Sequence, residues 1–503
     1  MTTKTAGASR RRHRPDNEQL LHEIAAFCRR RGIAESTFGR RAVNDGKFVT
    51  RLRFGGGITT HTVRRVRAFM NHEPSSGIDG APTTGRLASR PGAVNFDAVT
   101  RGTATLTLAH TATPRLELPS SEVAEDHTPQ AHFRFYDNRQ KYLLFVNTCT
   151  EKQVVAQRIE MELAQLKPHA PAMRVFDAGV GDGTVLTRVM RSMHDRMPTV
   201  PFYIVGKEIS LEDVRLALDR MPDRFHEHPA TVLVMTNMHY AEAPWLRPNT
   251  LAAASGLVWH EVALKGTTAA EFDRQIGQLA PFLSANWTAR ISPTTGNPLY
   301  ERPVVLVLYR EDHKLLLESV KPQQGAVRAD FDLVIASQPY RARSPTEFKA
   351  SKVVAPLARA LGPGGRLIGI HSRGGDPGLE IIQRVWPGEN PFTMDRHELL
   401  KATRHALGPE ARGLNFSAYS DQRSIFRYEM HTLPSEVSSS IGTSTLLAAW
   451  NDAIYVAQIE DQRLEQVMSD LRYLNATREV LQRHGKLWFL NESYVISRHR
   501  FPR

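Results

Sequence analysis

The chain has 503 residues, 41% of them hydrophobic and 23% charged, a balance that excludes a mostly disordered chain. At ~100–200 residues per domain this length predicts about two to four domains, and the absence of any run of ~18 apolar residues excludes a spanning helix. Cys28 and Cys149 are too few for a disulfide framework and lack metal-ligand spacing, so the expectation is no metal site and a reducing, cytoplasmic compartment. Residues 1–14 are polar and basic with no apolar stretch behind them, which reads as no secretory signal.

The net charge of +13 is unevenly placed. Residues 1–70 hold 16 Lys and Arg against 5 Asp and Glu, whereas the rest hold 49 against 47. A near-neutral body therefore carries one small basic module, which points to a polyanion partner, most simply DNA or RNA, ahead of a solubilising tail.

Within that module, residues 18–31 place Leu20, Leu21, Ile24, Ala25, Phe27 and Cys28 at helical spacing, and Gly32 stops the helix. A second helix is expected over 37–43 with Ser36 as its N-cap, and a third over 47–53 with Phe48 and Leu52 turned inward. Gly55-Gly56-Gly57 breaks it, and a fourth helix capped by Thr59 or Thr60 follows, with Val63, Val66 and Phe69 on one face. This series of short helices resembles helix-turn-helix DNA-binding domains of the phage-repressor type. The resemblance implies an all-α domain with Lys47, Thr50, Arg51 and Arg53 on the groove-facing helix. It implies Arg40, Arg41, Arg64 and Arg65 on phosphates, and 10–14 as a minor-groove arm. Such modules often act as dimers, which leaves a homodimer open, although no coiled coil is visible. The alternative is a helical protein-interaction domain with a solvated basic face, in which Cys28 is a small core residue.

Residues 71–130 are rich in Pro, Ser, Thr, Gly and Ala and read as a flexible linker, with a short strand at 104–108. The body is expected over 131–503, with insertions at about 241–330 and 441–482. Its sharpest feature is Val175-Phe176-Asp177-Ala178-Gly179-Val180-Gly181-Asp182-Gly183-Thr184: an apolar strand, a glycine-rich turn and then a helix over 185–194. Glycines there let backbone N–H groups approach a ligand at the helix N-terminus. A dinucleotide fingerprint needs glycine where Thr184 stands, so that cofactor class fails. A second strand ends in Glu208, placed to accept hydrogen bonds from ribose hydroxyls. A third strand, 231–237, follows a helix over 211–220. Residues 331–340 form a further strand and turn. A helix over 345–361 and the turn Gly362-Pro363-Gly364-Gly365 lead into a strand over 366–371.

The glycine turn, Glu208 and the Pro-Gly-Gly turn, in this order, resemble class I S-adenosylmethionine-dependent methyltransferases. The resemblance implies an α/β, Rossmann-like sheet, mostly parallel with an antiparallel last strand. Strands over 424–432 and 487–498 would supply the closing pair. It implies S-adenosylmethionine as cofactor, held by Asp177, Gly179, Gly181, Gly183, Thr184 and Glu208. Asn237 and Met238 would lie at the adenine, with Ala336 on the motif IV strand. A helical segment before the glycine turn covers the cofactor in many relatives, and residues 135–166 occupy that place; Cys149 there reads as a buried structural thiol.

Ser337-Gln338-Pro339-Tyr340 resembles the Asp/Asn/Ser-Pro-Pro-aromatic motif of amino-methyltransferases, with Gln338 in place of proline. Amine and non-amine acceptors stay equally open. Ser337 and Tyr340 are catalytic candidates, with His260 (beside Glu261) as a general base and His239 and His371 as weaker candidates. Residues 257–309 form a competing strand–helix–strand unit. The later unit, 331–371, is preferred for the fourth and fifth core strands, the earlier becoming a substrate insertion with a hairpin over 304–320. The leading reading is a methyltransferase whose acceptor is unidentified, a nucleic-acid base amine among the candidates. The alternatives are a methyltransferase of a small metabolite or protein side chain, and a non-enzymatic DNA-binding regulator that senses S-adenosylmethionine.

Overall fold

The computed structural model describes residues 14–31, 33–43, 45, 47–53, 58, 60–72, 139–292, 297–432, 436–437, 440–467 and 470–500. The linker beyond residue 72 and the strand expected at 104–108 lie outside the described residues. The chain divides into two compact units, 1–120 and 121–503.

Among the described residues the first unit has four helices, Arg14–Arg31, Glu35–Val43, Phe48–Arg53 and Thr60–His72. The first begins four residues earlier than expected and takes Arg14 out of the expected arm; 10–13 lie outside the described residues. Leu20, Ile24, Phe27, Cys28, Phe38, Phe48, Val49, Leu52 and Val66 form its core. The rings of Phe27, Phe38 and Phe69 meet at 5.5–6.1 Å. The second helix abuts the turn into the third so closely that a Cβ on Gly39 would stand 2.3 Å from the Asp45 carbonyl oxygen. Arg51 pairs with Asp45 at 2.7 Å, and Arg53 grips both oxygens of Glu35.

The second unit is built on one ten-stranded sheet. Its strands, with a separate two-stranded ribbon, are β1 (Met173–Asp177), β2 (Phe202–Lys207), β3 (Thr231–Thr236), β4 (Val258–Leu264), β5 (Ala289–Ile291), β6 (Pro298–Tyr300), β7 (Val304–Arg310), β8 (Phe331–Ser337), β9 (Leu361–Ser372), β10 (Leu414–Ser417), β11 (Ile425–Glu429) and β12 (Trp488–Arg498). The sheet order is β10-β12-β9-β8-β1-β2-β3-β7-β4, with β11 also on β12 and β5–β6 forming the ribbon. Strands β3, β2, β1, β8 and β9 run parallel, and β12 runs antiparallel to β9. This is a Rossmann-like α/β sheet. The unit 331–371 supplies β8, next to β1, and β9 beyond it, as preferred from the sequence.

Two expectations are corrected. β12 is not the sole reversed strand: β7 runs antiparallel to β3, and β4 parallel to β7, so the insertion widens the sheet at the β3 edge against its direction. No hairpin forms over 304–320. β7 is apolar along nearly its whole length and buried at every position, so it needs a partner on each side, and β3 and β4 fill both places. The chain then leaves through a short helix, Lys314–Leu317.

Strand side chains alternate between two cores. Tyr203, Val205, Val232, Val234, Val305 and Val307 face one side, and Phe202, Ile204, Leu233, Met235, Leu306 and Leu308 the other. A third core joins the helices Arg139–Thr148, Pro377–Val385, Thr443–Val456 and Arg472–His484 through Phe145, Ile381, Leu446, Trp450, Tyr473 and Val480. The helical run 346–359 widens into a π turn at Ala350–Val354. Pro356 follows one turn later, where it removes the ordinary donor to Lys352. Among the described residues no helix is long and apolar enough to cross a membrane.

Glu162, fully buried on the helix Glu151–Leu163, binds Arg158 at 3.0 Å and Arg366 of β9 at 2.6 Å. Removing one member of such a buried cluster strands the others, at about 3–5 kcal/mol. Glu162→Ala is therefore expected to lower unfolding free energy by about that amount in urea titration, and Glu162→Gln by less.

Candidate functional site

A cavity of about 600 Å³ opens beyond the C-terminal ends of β1, β2 and β8, where an open parallel sheet places ligands. Its floor follows directly from the glycine turn. Gly181 (φ +54°) and Gly183 (φ +80°) adopt the left-handed conformation that side chains resist. A Cβ on Gly181 would stand 2.9 Å from the Tyr142 hydroxyl, and one on Gly183 would stand 2.8 Å from Ala217 Cα. At Gly179 a Cβ would meet open space, consistent with its place on the cavity wall.

Carboxylates hold this floor. Asp177 Oδ1 accepts the Gly179 N–H at 3.1 Å. Glu208 accepts Gly181 N–H at 2.9 Å through Oε2, and Ile209 and Ser210 N–H at 2.7 and 2.9 Å through Oε1. Asp182 takes the Thr184 hydroxyl and, at 3.0 Å, the Arg220 guanidinium. Burial pushes Asp177 up to about 7, with the Glu208 charge adding to it. Burial likewise takes Asp213 to about 7, again with Glu208 adding. Lys152 opposes them, 5.5 Å above the Tyr142 ring and 3.4 Å from Glu151. Tyr142, Phe145 and Tyr455 form an aromatic wall, with ring separations of 5.9 and 4.9 Å to Tyr455.

The opposite end is built by the loop after β3, the β5–β6 ribbon and the loop after β8. Lys207 Nζ lies 5.0 Å over the Tyr240 ring, and the Tyr240 hydroxyl donates to the Pro339 carbonyl at 2.7 Å. His239 packs on Tyr300 at 4.9 Å. Gln338 has φ +49°, and its amide donates to Ser372 Oγ at 3.0 Å and Asn491 Oδ1 at 3.3 Å. Proline, fixed near φ −65°, is excluded from this backbone. Tyr340 lines the cavity, while its hydroxyl is buried at 2.7 Å from His371 Nδ1.

Of the residues singled out from the sequence, Gly179, Gly181, Glu208, His239, Ser337, Gln338 and Tyr340 line the cavity, and His371 does not. Asp177, Gly183 and Thr184 lie directly behind the turn, in the bonds and conformations just described. Asn237 does not face the cavity: its amide is spent on the Val304 N–H (2.9 Å) and the Arg302 carbonyl (2.8 Å), which stitch β3 to the insertion. Met238 and Ala336 are core residues. His260 is not in the cavity either. It sits on edge strand β4, stacked on Phe282 at 4.5 Å, because β4 is separated from β3 by β7. Its neighbour Glu261 is taken by the Tyr309 hydroxyl at 2.6 Å. In the first unit, Arg40, Arg41, Lys47, Thr50, Arg51 and Arg53 are all exposed.

Tyr142, Lys152, Tyr240 and Tyr455 were not singled out from the sequence. The segments carrying the first two were flagged as a cover, but helical spacing alone does not separate cavity aromatics from core aromatics. Tyr240 carried a usable signal, since it follows directly on the third strand's end.

No family model matches the sequence, and no curated protein matches it. Among solved structures the chain is similar to the plantazolicin methyltransferase BpumL in complex with SAH. Identity is 9%, the TM-score 0.29, and coverage 74% of this chain and 93% of that one. It is also similar to geranyl diphosphate methyltransferase in complex with SAM, at 13% identity and TM-score 0.27, covering 74% and 94%. For phosphoethanolamine N-methyltransferase 2 of Haemonchus contortus the values are 10%, 0.23, and 68% and 52% coverage. Identity and TM-score are too low for these likenesses to carry function.

The raised Asp177 fixes a pH prediction. A carboxyl whose folded pKa lies above its unfolded value favours folding below the unfolded pKa, and that contribution is lost as pH rises through about 7. Asp177→Asn is therefore expected to raise the melting temperature of the ligand-free chain more at pH 8 than at pH 5, measured by calorimetry at both values.

Proposed function

We propose that this chain is an S-adenosylmethionine-dependent methyltransferase. The observation that carries the reading is the cavity at the strand ends, floored by the glycine turn and walled by Glu208. The residues fit such a cofactor. Glu208 spends three of about four acceptor positions on backbone N–H groups, which leaves one side open to a ribose hydroxyl. Asp177, Glu208 and Asp213 make this end attractive to a cation, and Lys152 stands near it for a carboxylate. When bound, the cofactor supplies an electrophilic methyl group and leaves as a neutral thioether. The chain's own task is alignment and exclusion of water, which the aromatic wall of Tyr142, Phe145 and Tyr455 performs.

The acceptor end favours a small molecule or a protein side chain over a base amine. It is lined by Tyr240, Leu299, Pro339, Tyr340 and Phe348. The left-handed Gln338 supports this choice, because the proline of the amine motif has no place in that backbone. The first unit we assign to docking on a polyanion, with Arg40, Arg41, Lys47, Arg64 and Arg65 on exposed positions. Arg51 and Arg53 exchange weak exposed ion pairs for phosphate.

Calorimetric titration with S-adenosylmethionine is expected to give micromolar binding, weakened by about 10- to 100-fold in Glu208→Ala, which removes a charged acceptor. No binding by folded wild type contradicts the reading. Binding with no release of S-adenosylhomocysteine from any acceptor turns it toward a sensor. Separately, anisotropy with a DNA duplex is expected to give an affinity that falls steeply with salt. Arg40→Ala should reduce the log–log slope by about 1; salt-independent or absent binding refutes the docking role.

A further inference from the structure

Four buried side chains from four elements form a continuous hydrogen-bonded chain, and the residue at one end of it, Tyr340, lines the cavity. Tyr340, in the loop after β8, places its hydroxyl 2.7 Å from His371 Nδ1, on β9. His371 Nε2 lies 2.8 Å from Glu492 Oε1, on β12. Glu492 Oε2 lies 3.0 Å from Arg396 Nη1, at the start of the helix Arg396–Leu407. His371 and Arg396 are about 4% exposed and Glu492 is fully buried. Tyr340 alone of the four lines the main cavity.

The order of partners fixes the protons. Burial raises Glu492, but His371 and Arg396 outweigh burial and hold it below the ordinary carboxylate range, so it is an anion. An anion accepts, so His371 donates from Nε2; in the neutral ring Nδ1 is then bare and accepts from the Tyr340 O–H. The other titratable groups facing the phenol are Tyr494, whose ring lies 5.9 Å from His371, and Lys349. Lys349 Nζ stands 5.2 Å over the Tyr340 ring and donates to the Ala342 carbonyl.

We propose that Tyr340, His371 and Glu492 are a proton relay that takes the proton of an acceptor hydroxyl bound in the cavity, with Tyr340 as the catalytic residue and His371 and Glu492 as positioning residues. The acceptor O–H proton passes to Tyr340 Oη as the Tyr340 proton passes to His371 Nδ1. The electron pair left on the acceptor oxygen forms its new bond to the methyl carbon, whose bond to sulfur breaks with its electron pair leaving on the neutral thioether. His371 ends as an imidazolium against the Glu492 carboxylate and later returns its proton to water. The relay rests on the methyltransferase reading and narrows it to acceptors that must lose a proton during transfer.

Two readouts test it on the full chain, with calorimetric S-adenosylmethionine binding on the same preparations to separate failure of the relay from failure of the cofactor reading. The first needs no acceptor: 15N spectra of imidazole-labelled protein. The relay expects the His371 Nε2 signal to be that of an N–H donor and the Nδ1 signal to be that of an acceptor that shifts in Tyr340→Phe. An Nδ1 that donates, or no response to Tyr340→Phe, overturns it. The second uses 4-nitrocatechol as the probe acceptor. Turnover falling about 10²- to 10⁴-fold in Tyr340→Phe with cofactor binding unchanged supports the relay, and equal turnover overturns it. Where wild type does not turn the probe over, the imidazole spectra decide.

Discussion

The bond between the Glu208 carboxylate and the Gly181 N–H is the constraint on which the cavity depends. It ties the end of β2 to the turn after β1, and through Ile209 and Ser210 it also sets the start of the helix Leu211–Asp219. A carboxylate accepting several backbone N–H groups is held rigidly. The turn it holds needs left-handed glycines, so strand, turn and acid are specified together. Gly206, one residue from the end of β2, completes the fit: a Cβ there would stand 2.6 Å from Val180.

Around this fixed floor the variable parts of the chain supply the walls. The helices Arg139–Thr148 and Thr443–Val456 are far apart in sequence but share the third core, and Asp452 joins them by accepting from Thr148 and Cys149 at 2.9 and 3.2 Å. The insertion after β3 extends the sheet and sends the β5–β6 ribbon back to the cavity mouth. Cofactor-side geometry thus rests on local turns, whereas acceptor-side geometry rests on long-range packing. The same division governs how well each half tolerates change, because turn residues answer to backbone conformation and wall residues to volume.

That division also decides what was legible. The order strand, glycine turn, helix, acidic strand end and Pro-Gly-Gly turn is local, and it gave the core strands and the floor of the cavity. The choice of β8 and β9 over β4 and β7 followed from the Pro-Gly-Gly turn. The reversed direction of β7 and β4 was not legible, because a fully apolar run has no alternation to show which neighbours it takes. Asn237 read as a ligand contact since it ends a core strand. Its amide is instead used by a backbone 65 residues away, a pairing that spacing does not reveal. His260 failed for the same reason: a strand displaced by one position in the sheet carries its side chains away from the cavity. Tyr340 was singled out as a catalytic candidate, and its hydroxyl chain became visible only when β8, β9 and β12 were set side by side.

The account's central claim is that the floor of this cavity holds the ribose and amino-acid parts of a sulfonium nucleoside. The most direct measurement is a crystal structure of the full chain grown with S-adenosylhomocysteine. The account predicts density in the cavity with ribose hydroxyls within hydrogen-bond distance of Glu208 and the glycine turn at the amino-acid end. An empty cavity at saturating ligand, or the ligand bound away from Glu208 and Gly179, contradicts it.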